Sequence, residues 1–122
     1  MSAPETPGAE MEFRPMATFR GLRGVPIVAV TRNSLYPSVR IGDDHLVIRV
    51  IGSRRFNFDA IESVGVAQRL AYQVTVQPRE GPWSFSANFA TPAAAAELLQ
   101  ALAARGVPLA ASASAFLEEN AT

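Results

Sequence analysis

The 122-residue chain has no cysteine. Disulfides, thiolate metal sites and a cysteine nucleophile are therefore excluded, although the absence alone does not fix a compartment. Lysine is missing as well, and all eleven cationic side chains are arginine. Coding bias in a GC-rich, bacterial genome accounts for this together with the abundant alanine. The competing explanation is selection for guanidinium recognition, since Arg grips planar anions in bidentate fashion and Lys does not. Eleven acidic residues balance the arginines, so the formal net charge is zero. A general nucleic-acid binder is usually basic, and that reading loses ground. No apolar run approaches the ~20 residues that a membrane-spanning helix needs. What is present is ample apolar material, 48% of residues against 18% charged, enough for the core of one ordinary domain.

Residues 1–12 hold two Pro, one Gly and three Glu without apolar periodicity, and a disordered tail is expected there. They offer neither the basic start nor the apolar stretch of ~7–15 residues of a secretory leader, so a cytoplasmic location is expected. Residues 13–24 set Arg14, Arg20 and Arg23 among Phe13, Met16, Phe19 and Leu22. Their Gly and Pro disfavour a free helix, and an ordered N-terminal arm is the expectation. From Val25 the pattern becomes strand-like, with seven segments near 25–31, 36–41, 45–51, 54–58, 61–68, 70–77 and 83–89. Gly42-Asp43-Asp44, Gly52-Ser53 and residues 78–82 supply turns. Leu46, Ile48 and Val50 alternate with Val47, Arg49 and Ile51, and Tyr72, Val74 and Val76 alternate with Gln73, Thr75 and Gln77. The run from Trp83 to Phe89 alternates most cleanly.

One helix follows, with Thr91 as N-cap, Pro92 at its first position and Gly106 after Arg105 as its stop. Ala95, Leu98, Leu99 and Leu102 form its apolar stripe. Residues 110–122 read as an Ala/Ser-rich tail with at most a frayed turn near Phe116 and Leu117. The expected architecture is mainly β: about seven antiparallel strands in a bent, partly open barrel or sandwich, capped by one C-terminal helix, with the domain at 25–109.

That order of elements resembles the pleckstrin-homology superfold, in particular small bacterial PH-like domains. The resemblance spans roughly Val25 to Gly106. It rests on the Asn33-Ser34-Leu35-Tyr36-Pro37 lead, the Gly42-Asp43-Asp44 turn and the run from Arg55 to Val64 that ends in Asp59-Ala60-Ile61-Glu62-Ser63-Val64. The closing helix after an aromatic strand completes it. The resemblance implies a scaffold for binding peptides, proteins or lipid headgroups. The Lys-rich cluster of phosphoinositide-binding members is not met by Arg32 and Arg40, so that ligand does not carry over. Fold alone does not choose among the remaining partners.

Candidate chemistry is sparse. His45, the only histidine, follows Asp43 and Asp44. Neighbouring strand residues point to opposite faces, so Asp44 and His45 are expected not to converge. One His without Cys is too few ligands for a transition-metal site. Ser84 and Ser86 have no His nearby, and no phosphate loop is present. Asp59 and Glu62 read as a turn cap and a solvated residue. Arg54 and Arg55, with Arg32 and Arg40, are the anion-binding candidates should their loops meet at one end; the alternative is a charged edge that discourages aggregation. No catalytic residue, metal or cofactor is expected. The expected function is a non-catalytic binding or assembly module for protein or peptide partners or self-association, working through a strand edge or a helix–sheet groove. A peripheral membrane domain using its arginines and a small enzyme with a pocket in the sheet are the alternatives; no nucleic-acid partner is expected.

Overall fold

A computed structural model describes residues 10–23, 25–33, 35–50, 52–68 and 71–120. Residues 1–9 of the expected tail, and Ser34, Ile51 and Leu70 of the expected turns and strands, lie outside them. The described residues hold nine strands: β1 (Met11–Phe13), β2 (Ala17–Leu22), β3 (Val25–Asn33), β4 (Ser38–Ile41), β5 (His45–Arg49), β6 (Ser53–Asn57), β7 (Ile61–Gln68), β8 (Tyr72–Pro78) and β9 (Trp83–Phe89). Two helices follow, α1 (Pro92–Ala104) and α2 (Ala111–Glu119). Sheet I has the order β1-β4-β5-β6, and sheet II the order β3-β2-β9-β8-β7. Every pairing between these strands is antiparallel. The chain thus forms two separate sheets, not a closed barrel.

Two expectations are corrected here. Seven strands become nine because residues 11–22 are not a tail and arm: β1 joins the edge of sheet I, and β2 lies between β3 and β9 inside sheet II. The alternation Thr18, Arg20, Leu22 against Ala17, Phe19, Gly21 is a strand period, and Thr18 is fully buried. One helix becomes two because the segment after Ala110 has something to bury. Ala113 is fully buried, Phe116 and Leu117 pack on the core, and the Phe116 ring lies 6.0 Å from that of Tyr72. The packed unit therefore extends beyond 25–109 at both ends.

The core sits between the inner faces. Sheet I contributes Val39, Ile41, Leu46, Ile48 and Phe56, and sheet II contributes Val64, Val74, Val76, Phe85, Ala87 and Phe89. Helix α1 forms as its sequence dictates: Thr91 Oγ1 accepts from the Ala94 N–H at 3.2 Å, Pro92 opens the helix, and Gly106 takes the left-handed φ of 85° that ends it. Ala95, Leu98, Leu99 and Leu102 are all buried, each Leu contributing ~1.5–3 kcal/mol. Thr18 Oγ1 donates to the Arg49 carbonyl and ties sheet II to sheet I.

The far edge of sheet II is covered by the chain itself. The Val64 N–H donates to the Pro108 carbonyl at 3.0 Å, and the Ala110 N–H donates back to Val64 at 2.9 Å. The Val66 N–H reaches Ser112 Oγ at 3.1 Å. Gly65 permits this approach, since a Cβ there would lie 3.0 Å from that same hydroxyl.

Candidate functional site

Register assigns every polar residue of sheet I to a face. Arg40 lies opposite Val47, which lies opposite Arg55, with Glu12 at the β1 end of the same row. The next row is Ser38, Arg49 and Ser53. Residues directly opposite share a face, and so do residues two apart on one strand. Arg40, Arg49 and Arg55 therefore stand together on the outer face, with Arg49 diagonal to both others. All three are exposed, and among the described residues none of them forms an ion pair. Glu12 turns instead to Arg14, at 3.1 Å.

The four candidate arginines do not meet at one end of the fold. Arg40 and Arg55 meet on the outer face of sheet I. Arg54 belongs to the inner row with Ile48 and Val39, and its guanidinium stacks 5.2 Å from the Phe85 ring and 5.6 Å from that of Phe56. Arg32 is on β3 in the other sheet, 5.4 Å from the Phe19 ring. Arg49 is the missing member of the outer set. The alternation of residues 45–51 already sets Arg49 beside Val47, and that signal locates it.

A loop borders this face. Asn33 Oδ1 accepts from the backbone N–H groups of Leu35 and Tyr36, at 3.1 and 3.3 Å, and Asn33 Nδ2 donates to the Tyr36 carbonyl at 3.3 Å. Leu35 is 84% exposed and Tyr36 is 70% exposed. The Arg49 guanidinium lies 5.8 Å from the Tyr36 ring, within the range of a cation–π contact.

No family model matches the chain, and no curated protein matches it significantly. Its chemistry is accordingly read from its own geometry.

A second cluster lies at the β4–β5 turn. The Gly42 N–H donates to the His45 carbonyl at 2.9 Å, closing the turn. His45 Nδ1 lies 2.8 Å from Asp44 Oδ1, and since a carboxylate only accepts, the imidazole carries the proton at Nδ1. The expectation that these two side chains diverge is corrected: Asp44 precedes the strand, so strand alternation does not govern it. The His45 hydrogen bond, opposed by slight desolvation and helped by the charges of His45 and Arg55, holds the Asp44 carboxyl below its ordinary value. The ring rests on Gly42, where a Cβ would lie 2.9 Å from both ring nitrogens.

Ligand atoms of Asp43, Asp44 and His45 lie within 4.8 Å of one another. An open depression of about 340 Å³ beside them is lined by Asp43, Asp44, Asn57, Phe58 and Asp59. Asp44 is 73% exposed at its side chain, so bulk water competes for whatever this turn binds. Asp59 and Glu62 do not form an acid–base pair: Glu62 is held by Arg23 at 3.1 Å, and the Asp59 carbonyl accepts from Arg79 Nε at 2.8 Å.

Both serines of β9 are engaged. Ser86 Oγ bonds Thr75 Oγ1 at 2.9 Å and accepts from Gln73 Nε2 at 3.3 Å, and Ser84 Oγ donates to the Leu22 carbonyl at 3.4 Å. Among the described residues, no helix is long and apolar enough to cross a membrane.

Proposed function

We propose that this protein is a non-catalytic binding module of PH-like fold that engages an anionic protein or peptide through the outer face of sheet I. The observation that carries the reading is the Arg40–Arg49–Arg55 set: three exposed guanidinium groups on adjacent rows of a rigid sheet, with no ion pair among the described residues. Bidentate Arg–carboxylate bonds are charge-assisted and directional, so a preset array selects carboxylates as well as attracting them. The two antiparallel sheets and the helix after the last strand support the PH-like assignment.

Two other routes to a partner are already occupied. The helix–sheet groove is filled by Leu98, Leu99 and Leu102, and the β7 edge is paired with residues 108–112. A bilayer is a weaker fit. Each basic residue near an anionic surface contributes ~1 kcal/mol, so three give about 3 kcal/mol, and Glu12 and Asp44 at the margins subtract from that.

The test is fluorescence anisotropy of a labelled oligoglutamate peptide. The parent is expected to bind it with an affinity that falls as salt rises towards about 0.15 M, where exposed charges are screened beyond ~8 Å. An Arg40→Ala/Arg49→Ala/Arg55→Ala variant is expected to lose the binding while keeping its circular-dichroism melt. Parent-like binding by that variant removes this face from the function.

A further inference from the structure

Leu35 and Tyr36 are the two most exposed large apolar residues among those described. Single exposed hydrophobics are ordinary, but these two are adjacent and braced. Three hydrogen bonds from the one Asn33 side chain fix the backbone that presents them. A surface held in its presenting conformation before a partner arrives loses less entropy on binding. Tyr and Arg are also the side chains that most often dominate interface energies.

The position of this knuckle relative to the arginines is what gives it meaning. Tyr36 precedes β4, and its ring lies 5.8 Å from the guanidinium of Arg49, which pairs with Ser38 two positions before Arg40. An apolar anchor, one guanidinium and then two more thus follow in line. Successive same-face positions on a strand are about 6.7 Å apart. An extended peptide repeats its own same-side residues at that interval, so its side chains match the spacing of the face without distortion.

We infer that the partner presented to this face is an extended acidic segment of a protein, with an apolar side chain on the Leu35–Tyr36 knuckle and carboxylates two and four residues away on Arg49 and on Arg40 or Arg55. The inference rests on the binding-module reading above and adds to it the class of sequence that is read. Charge complementarity selects the acidic residues, and the braced knuckle selects the apolar one.

Three labelled peptides test it by anisotropy: one repeating Phe-Ser-Glu-Ser-Glu, one with Ser for each Phe, and one with Gln for each Glu. The first is expected to bind about tenfold more tightly than the second, and the third not at all. A Leu35→Ser/Tyr36→Ser variant is expected to bind the first peptide only as well as the second, with the second unchanged. Asn33→Ala is expected to give part of that loss, by freeing the loop while leaving both apolar side chains in place. Both sites are exposed, and a matching thermal melt establishes that each variant is folded.

Equal binding of the Phe and Ser peptides by the parent, or no loss in the Leu35→Ser/Tyr36→Ser variant, overturns the knuckle while leaving the arginine face standing. Parent-like binding of all peptides by the triple arginine variant overturns both. Phosphatidylserine vesicles are the last arm. Vesicle binding lost in the knuckle and arginine variants, with the Phe and Ser peptides bound alike, replaces the acidic segment with a membrane surface.

Discussion

The outer faces of the two sheets are both polar in sequence and opposite in character. That of sheet I carries long charged side chains in water, with Arg40, Arg49 and Arg55 bonded to nothing opposite in charge among the described residues. That of sheet II carries mainly neutral ones, with Arg32 beside Phe19 as a charged residue on its β3 strand. Gln73, Ser84 and Ser86 are buried, the two serines to 1% and 2% exposure, and the Ser86 hydroxyl bonds both Thr75 and Gln73. An outward-facing polar residue is thus two different things. On sheet II it is part of the packing, because a buried hydroxyl without a partner costs free energy. On sheet I it is available to something else, because a solvated guanidinium contributes little to the fold.

The comparison is sharpened first at the floor the two sheets share. Phe85 of sheet II is buried against Phe56 of sheet I, with ring centroids 5.1 Å apart. Phe85→Ala is expected to cost ~3–5 kcal/mol in chemical denaturation; a cost under about 1 kcal/mol would mean that the sheets do not depend on each other there. Next comes the outer face of sheet II. Ser86→Ala removes the buried hydroxyl that bonds Thr75 Oγ1 and Gln73 Nε2 and is expected to cost ~1–3 kcal/mol.

On the outer face of sheet I, Arg40→Ala and Arg55→Ala are each expected to change stability by less than ~0.5 kcal/mol. Equal costs on the two faces, measured side by side in urea, would erase the distinction. The smallest effect is expected at the turn. Gly42→Ala displaces the His45 ring, and the Asp44 carboxyl should titrate closer to its ordinary value in an NMR pH series. The sign follows from the lowered value in the native turn: the Asp44–His45 contact adds stability above the ordinary aspartate value, and that contribution is lost as pH falls through the lowered one. The Gly42→Ala protein should therefore show a shallower acid limb than the parent.

Much of the fold is legible in the residues. Alternation locates β4 to β9 to within a few positions, and Thr91, Pro92 and Gly106 mark α1 by local chemistry alone. Three elements escape that reading because their stability is not local, β1 among them, which pairs only with β4 at the edge of sheet I. β2 contains Gly21 and Arg20 and reads as an arm, yet it is held between β3 and β9. α2 is a short Ala/Ser run whose reason to be helical is Ala113 and Phe116 meeting the core, which propensity does not record.

The candidate site divides in the same way. Arg54 and Arg55 are neighbours in sequence and opposites in space, so counting charge in a run puts one of them on the wrong side of the sheet. The alternation rule that separates them also points to Arg49. Burial of Ser84 and Ser86 carries no sequence signal, since alternation distinguishes inner from outer but not outer from exposed.

The covering of β7 by residues 108–112 has a consequence in time. Val66 and the Ser112 hydroxyl that caps it are 46 positions apart along the chain. β8, β9 and α1 all intervene, so a ribosome delivers β7 well before its cover. Without residues 108–112, the N–H and C=O of Val64 and the N–H of Val66 have none of these partners, and a row of unpaired backbone groups is what templates pairing with a further strand. Pro108 and Ala110, with Ser112 in the first turn of α2, are thus what closes this edge of sheet II, and β3 is left as the sheet's opposite edge.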